Sequence, residues 1–335
     1  MRKLLLTTLF LAVPTGQAIA GAWEAKTMRQ PLANREVERP LILTKGWLQF
    51  DLGVDWKVAQ GYWTSEGEAA DFEYARWTYT TERIGIQYGV TNRSELEFAF
   101  PVHYLRLEND TLGTDTRDFG LGDPSFTYTF EVLRRTAPLT SVVLYGHAKL
   151  PAGNESPGEY IGGPNAITKF VMTSGTFDYT LGAAAKQQAG PVAIRLGGGY
   201  TYRQAAVVQY LVEIEQYQFA GRIKPGDVLH GTGGLTIQAG PVALDGAVTG
   251  RMRGETRIGT TGEGGLGNDQ LDAVAASDGW SLDATASLIV QPSRGIDLIG
   301  GVGIPLRGED LQFFPIEDIH PTRGLTYSGT LQMRF

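Results

Sequence analysis

The chain contains no cysteine. That excludes disulfide staples, thiolate nucleophiles, iron–sulfur clusters and cysteine-ligated zinc together. It also lacks an excess of basic charge. Lys plus Arg number 29 against 36 Asp plus Glu, a formal charge of −7, so the basic face that a nucleic-acid partner would require is missing. Past residue 20 no apolar run approaches the roughly 18 residues of a membrane-spanning helix. Histidine is scarce, with 4 residues, whereas glycine is abundant at 44 of 335. The apolar fraction of 42% is too high for a disordered chain.

The N-terminus reads as a targeting segment. Arg2 and Lys3 precede a short apolar run from Leu4 to Val13, and Ala18-Ile19-Ala20 before Gly21 is a small-residue cleavage pattern. Residues 1–20 are therefore expected to be a signal peptide, and the mature chain to be exported from a Gram-negative bacterial cytoplasm.

Everything after that alternates with period two. Leu48, Phe50, Leu52, Val54 and Trp56 interleave with Gln49, Asp51, Gly53 and Asp55; Phe126, Tyr128, Phe130 and Val132 interleave with Thr127, Thr129 and Glu131. The C-terminus does the same: Leu325, Tyr327, Gly329, Leu331, Met333 and Phe335 share one face, and Thr326, Ser328, Thr330, Gln332 and Arg334 the other. Segments of about ten residues with one apolar and one polar face are the mark of transmembrane β-strands. In lipid every backbone N–H and C=O must be paired internally, so an exported chain without a spanning helix crosses only as a closed sheet.

About twelve such segments are legible, over 47–58, 72–89, 95–107, 119–134, 141–151, 166–187, 192–204, 227–238, 242–253, 280–291, 295–305 and 324–335. Short connections at 90–94, 135–140, 188–191, 239–241 and 292–294 alternate with long ones near 59–71, 108–118, 152–165, 205–226, 254–279 and 306–323. Such a rhythm fits periplasmic turns and extracellular loops. The fold expected is all-β: a transmembrane antiparallel β-barrel over residues 47–335. Residues 21–46 form a preceding N-terminal arm, either free in the periplasm or folded back as a plug. The motif Q-A-G-P-V-A occurs twice, at 188–193 and 238–243, each time at a short turn.

The C-terminal strand closely resembles the closing strand of bacterial outer-membrane barrels, which usually ends in Phe. Phe119-Gly120-Leu121-Gly122-Asp123, followed by Leu150-Pro151-Ala152-Gly153, is similar to the pattern of outer-membrane transporter barrels of the meta-pathway phenol-degradation type; Tyr88-Gly89-Val90-Thr91 is similar too. The resemblance covers about residues 75–335. It implies an outer-membrane location and passage of small molecules, some of them aromatic, and it brings no catalytic residues. The partners implied are outer-membrane lipids, small-molecule solutes and, through Phe335, the barrel-assembly machinery.

Chemistry beyond passage finds weak support in the residues. Outer-membrane phospholipases pair a His-x-Ser with an Asn. Here His103 is followed by Tyr104-Leu105 and His147 by Ala148-Lys149, while His230 and His320 offer only Thr232 and Thr322. Residues 264–272, G-G-L-G-N-D-Q-L-D, fit one copy of the nonapeptide that binds calcium in β-rolls, but a roll shares each ion between successive copies. No cofactor and no metal are expected. The function expected is a passive channel for small solutes, aromatic or anionic. A barrel hydrolase acting on lipid or peptide, and a structural or adhesive barrel without conductance, remain as alternatives. By alternation Arg203, His230, Arg251 and Arg253 point inward as a basic wall, and Asp55 and Asp123 line the lumen as an acidic wall facing it. Such walls would orient polar solutes; mutual pairing that fills the lumen is the competing reading.

Overall fold

A computed structural model describes residues 33, 35–64, 67–71, 75–109, 114–153, 159–160, 175–212, 217–260, 272–273, 278–309 and 322–335. The signal-peptide segment, His320 and the calcium-type nonapeptide except Asp272 lie outside the described residues. No helix among those described is long and apolar enough to cross a membrane.

Twelve long strands form one antiparallel ring: β1 (Leu48–Trp63), β2 (Ala75–Thr91), β3 (Ser94–Asn109), β4 (Ser125–Thr136), β5 (Leu139–Lys149), β6 (Asp178–Ala189), β7 (Val192–Arg203), β8 (Val228–Ala239), β9 (Val242–Arg253), β10 (Gly279–Ser293), β11 (Ile296–Glu309) and β12 (Thr322–Arg334). Each pairs with its neighbour in sequence, and β12 returns to β1 in a register that runs from Gln49↔Arg334 through Val54↔Gly329 to Val58↔Leu325. Closure satisfies the edge groups that an open sheet would leave exposed.

Two-residue turns join β2 to β3, β4 to β5, β6 to β7, β8 to β9 and β10 to β11. The repeated motif explains two of them. Gly190 and Gly240 take φ of +62° and +61°, and a Cβ on either would meet nothing within 4 Å. The requirement for glycine there is conformational rather than steric, as the first position of a tight hairpin demands. The proline that follows each glycine then accepts a bond from the next hairpin: Gln238 N donates to Pro191 O and Gln291 N to Pro241 O, both at 2.8 Å.

The alternation sorts the faces as expected. Leu52, Val54 and Trp56 on β1, Phe98 and Phe100 on β3, Leu244 and Val248 on β9 and Leu288 on β10 are exposed on the outside, from 39% to 61%. Gln49, Glu95, Lys186, Thr236, Gln238 and Asp297 point inward and are buried.

Three boundaries differ from the sequence expectation by five residues or more. The fourth segment starts at Ser125, not 119, because Gly122-Asp123-Pro124 interrupts it; Thr114–Leu121 instead pairs with the upper part of β3. The sixth starts at Asp178, not 166, after Gly175 turns the chain at φ +66° and Thr176 Oγ1 donates to Asp178 Oδ1. The first runs on to Trp63 through a bulge between Ala59 and Gly61. The connections 204–227 and 254–278 are not purely loop: Ala206–Val212, Tyr217–Lys224, Arg257–Thr260, Asp272–Ala273 and Glu159–Tyr160 make a second, five-stranded sheet.

Candidate functional site

The lumen is the concave surface that the twelve strands build together, and inward alternation lines it with charge. Toward the end that carries the long connections, ion pairs link successive strands. Asp178 of β6 is 5% exposed and receives Lys149 Nζ of β5 at 2.5 Å and Arg203 Nε of β7 at 3.8 Å. Lys149 also approaches Asp123 at 3.8 Å. Beyond Arg203, Asp227 accepts from the Arg203 amide at 3.0 Å, from Tyr200 Oη at 2.6 Å and from Lys224 Nζ at 3.1 Å. Desolvation pushes the Asp227 carboxyl up, but those three donors outweigh it and hold it below the usual carboxylate range.

The sequence-expected lining residues therefore separate into groups. Arg203 and Asp123 are buried and belong to one chain of ion pairs, not to facing walls. Arg253 is buried too, in register with Val228 of β8. Arg251 is different: its side chain is 62% exposed, and Asp283 of β10 lies 4.0 Å away. His230 stands opposite Arg251 in the β8–β9 register. Asp55 faces the lumen from β1, but Arg83 of β2 pairs with it at 3.1 Å. Sequence reasoning missed Arg83, Lys149, Asp178 and Asp283. All four obey the same alternation, and only their partners on other strands, which a sequence does not show, mark them out.

The glycines of β6 and β7 have a lumenal purpose. Tyr145 of β5 lies against them, with its Oη 3.1 Å from His230 Nε2 and 3.3 Å from Gly198 O. A Cβ on Gly182 would stand 2.3 Å from that ring, and one on Gly199 would stand 2.8 Å from its hydroxyl and 3.0 Å from His230 Cε1. Missing side chains thus let the ring lie flat on the wall instead of across the lumen.

His103 and His147 have local partners. His103 Nδ1 bonds Tyr79 Oη at 2.6 Å, and His147 Nδ1 bonds Thr127 Oγ1 at 2.9 Å. The two G-x-G-D and L-P-x-G motifs meet: Asp123 Oδ1 accepts from the Gly153 amide at 3.2 Å, and Leu150 N donates to Pro124 O at 2.9 Å. Gly122 is glycine because a Cβ there would stand 2.1 Å from His103 Nε2. Among the described residues no cluster of His, Asp and Glu is arranged to hold a metal ion.

At the other end, where the turns are short, residues 35–47 reach into the ring. A 3₁₀ turn at Glu36–Glu38 is followed by irregular chain that bends at Arg39, Leu41 and Ile42. Val37 N donates to Gln238 Oε1 of β8 at 3.1 Å, Leu41 N to Ser141 Oγ of β5 at 3.3 Å and Leu43 N to Glu95 Oε2 of β3 at 2.5 Å. Arg39 Nη1 donates to Asp297 Oδ2 of β11 at 2.6 Å, and Lys186 Nζ of β6 donates to Glu36 O at 2.8 Å. Of the apolar side chains of this segment, Val37, Ile42, Leu43 and Trp47 are buried and Leu41 is half-buried.

No protein-family model matches the chain, and no curated protein matches it significantly. Solved structures do. The COG4313 outer membrane channel from Pseudomonas putida F1 is similar at a TM-score of 0.61, over 88% of this chain and 97% of that one, with 14% identity. The translocator domain of the autotransporter NalP from Neisseria meningitidis and the NanC porin are more distant, each at a TM-score of 0.43, with 9% and 8% identity; they cover 96% and 85% of this chain and 92% and 98% of their own. The first of these likenesses establishes a shared barrel fold.

Proposed function

We propose that the chain is an outer-membrane channel through which small solutes, anionic ones by preference, diffuse passively. The observation that carries this is the inversion of ordinary protein design: a closed ring with apolar side chains outside and charged ones within. Only a lipid surround rewards that arrangement. The similar solved structure is itself an outer membrane channel, which supports the reading. The G-x-G-D and L-P-x-G motifs, similar to those of the meta-pathway phenol-degradation barrels, lie together here through the Gly153 amide and Asp123, which fits the same reading. In this reading residues 1–20 direct export, Phe335 addresses the assembly machinery, and the two-residue turns face the periplasm.

The preference for anions follows from the loop half of the lumen. There Lys57, Arg83, Lys149, Arg203, Arg251 and Arg253 outnumber Asp55, Asp123, Asp178 and Asp283, as alternation directs them inward. Charges inside low-dielectric walls act on a solute more strongly than the same charges in bulk water. Arg251 and Arg83 carry most of the effect, because both are exposed to the lumen while Arg203 and Arg253 are buried, and Arg83 is held closer to its carboxylate, at 3.1 Å from Asp55 against 4.0 Å between Arg251 and Asp283.

Planar-bilayer recording of the purified protein tests this. Discrete conductance steps with a reversal potential on the anion side in a salt gradient are expected, and Arg251→Gln should move that potential toward cations. A purified, folded protein that hydrolyses lipid or peptide and passes no current would instead favour a barrel enzyme.

A further inference from the structure

The sequence leaves the arm either free or folded into the barrel, and the contacts of residues 35–47 point to more than either. We propose that residues 35–45 are a displaceable plug, a strap hinged at Gly46 that closes the turn end of the lumen and withdraws when the channel opens. The proposal rests on the channel reading above.

Three observations carry it. The strap is tied across the mouth rather than along its rim: its partners Glu95, Ser141, Lys186, Gln238 and Asp297 belong to β3, β5, β6, β8 and β11, which are distributed around the ring. All five lie within a few residues of a short turn. Strand positions that face a lumen should be polar, yet Val143, Ala193, Ala243 and Ile289 are apolar there and buried, like Val37, Ile42 and Leu43 of the strap. The lumen is built to receive an apolar segment at this level.

The second observation concerns what withdrawal would leave behind. The strap contributes no rung to the barrel ladder. Several of its anchor points have another partner on the wall: Asp297 also binds Arg334 and Gln291, Ser141 donates to Glu131, and Gln238 donates to Gln291 and Gly240 O. Asp297 and Ser141 stay satisfied without the strap, while Glu95, Lys186 and Gln238 Oε1, the acceptor of the Val37 amide, would be hydrated by water entering the lumen. An element whose removal leaves no orphaned polar group on the wall can move between two states without unfolding the barrel.

The third is the hinge. Gly46 takes φ +81° and donates to Gly89 O, and Gly89 N donates to Trp47 O. Gly89 is glycine for a reason that only the strap supplies: a Cβ there would stand 2.0 Å from Thr44 O. Trp47 and Gly46 thus remain fixed to β2 while the residues before them can swing away.

The absence of native cysteine permits a direct test. Leu41→Cys together with Ser141→Cys places one thiol on the strap and one on the wall where the two residues already touch. In bilayers the oxidised protein should conduct at least about tenfold less than the same protein after reduction, and a variant without residues 33–46 should match or exceed the reduced form. Equal, measurable conductance from the oxidised, reduced and shortened forms would overturn the plug while leaving the channel. No conductance from any of them would overturn the channel reading and the plug with it.

Discussion

Replacing Leu288 by Arg tests the assignment of faces at one residue. Leu288 lies five residues from Ser293, the turn-end limit of β10, and is 45% exposed on the outside between Leu244 and Gly300. At about 3.4 Å per residue and a tilt near 40°, that is about 13 Å from the strand end, half of an apolar band about 25 Å tall. An arginine at such a depth costs about 2–4 kcal/mol. Thr285 on the same strand points inward and is exposed to the lumen, so Thr285→Arg should cost within about 0.5 kcal/mol, as a substitution on a hydrated surface does. Denaturant titration of both variants refolded into bilayers, read by heat-modifiable gel mobility, gives the two numbers. Leu288→Arg folding like wild type, with Thr285→Arg impaired, would refute the strand phase and the inside-out reading together.

Other outcomes follow from individual contacts. Asp178→Asn leaves Lys149 and Arg203 without the carboxylate between them, and losing one partner from a buried pair costs about 3–5 kcal/mol; the same titration measures it, and an unchanged midpoint would remove Asp178 from the network. Gly182→Ala drives a methyl into the Tyr145 ring and the Gly198 carbonyl, an overpacking worth about 1–3 kcal/mol, and by lifting the ring off the wall it should lower single-channel conductance. Thr114→Cys, at the start of the segment that extends beyond β4, should react with an impermeant thiol label on intact cells; labelling only after the outer membrane is broken would invert the proposed orientation.

How much of this was legible beforehand follows from the physics of each feature. The ring was legible because alternation is a property of single strands: the ninth segment was bounded correctly at both ends, and most others within a few residues. The misread starts of the fourth and sixth strands have a different origin. Pro124 ends a ladder by lacking an N–H, but Thr114–Leu121 still pairs with β3, so apolar alternation runs through the break. For the lumen, alternation said which way Arg203, Arg251 and Arg253 point, but it could not say that Lys149 and Asp178 stand between Arg203 and Asp123. Register sets such neighbours, and register is read from pairing, not from composition. The five hydrogen-bonding partners of residues 35–43 were likewise out of reach, because each joins positions more than 50 residues apart.

The most direct test of the central claim, that a charged lumen inside this closed barrel is a path for small anions, is the reversal potential of single channels in a salt gradient, recorded for the wild-type protein and for Arg251→Gln with the strap released. The account predicts discrete steps, an anion-selective wild type and a shift toward cations in the variant. Steps whose selectivity is the same in both would contradict the role of Arg251, and correctly folded, inserted protein that passes no current in either form would contradict the channel.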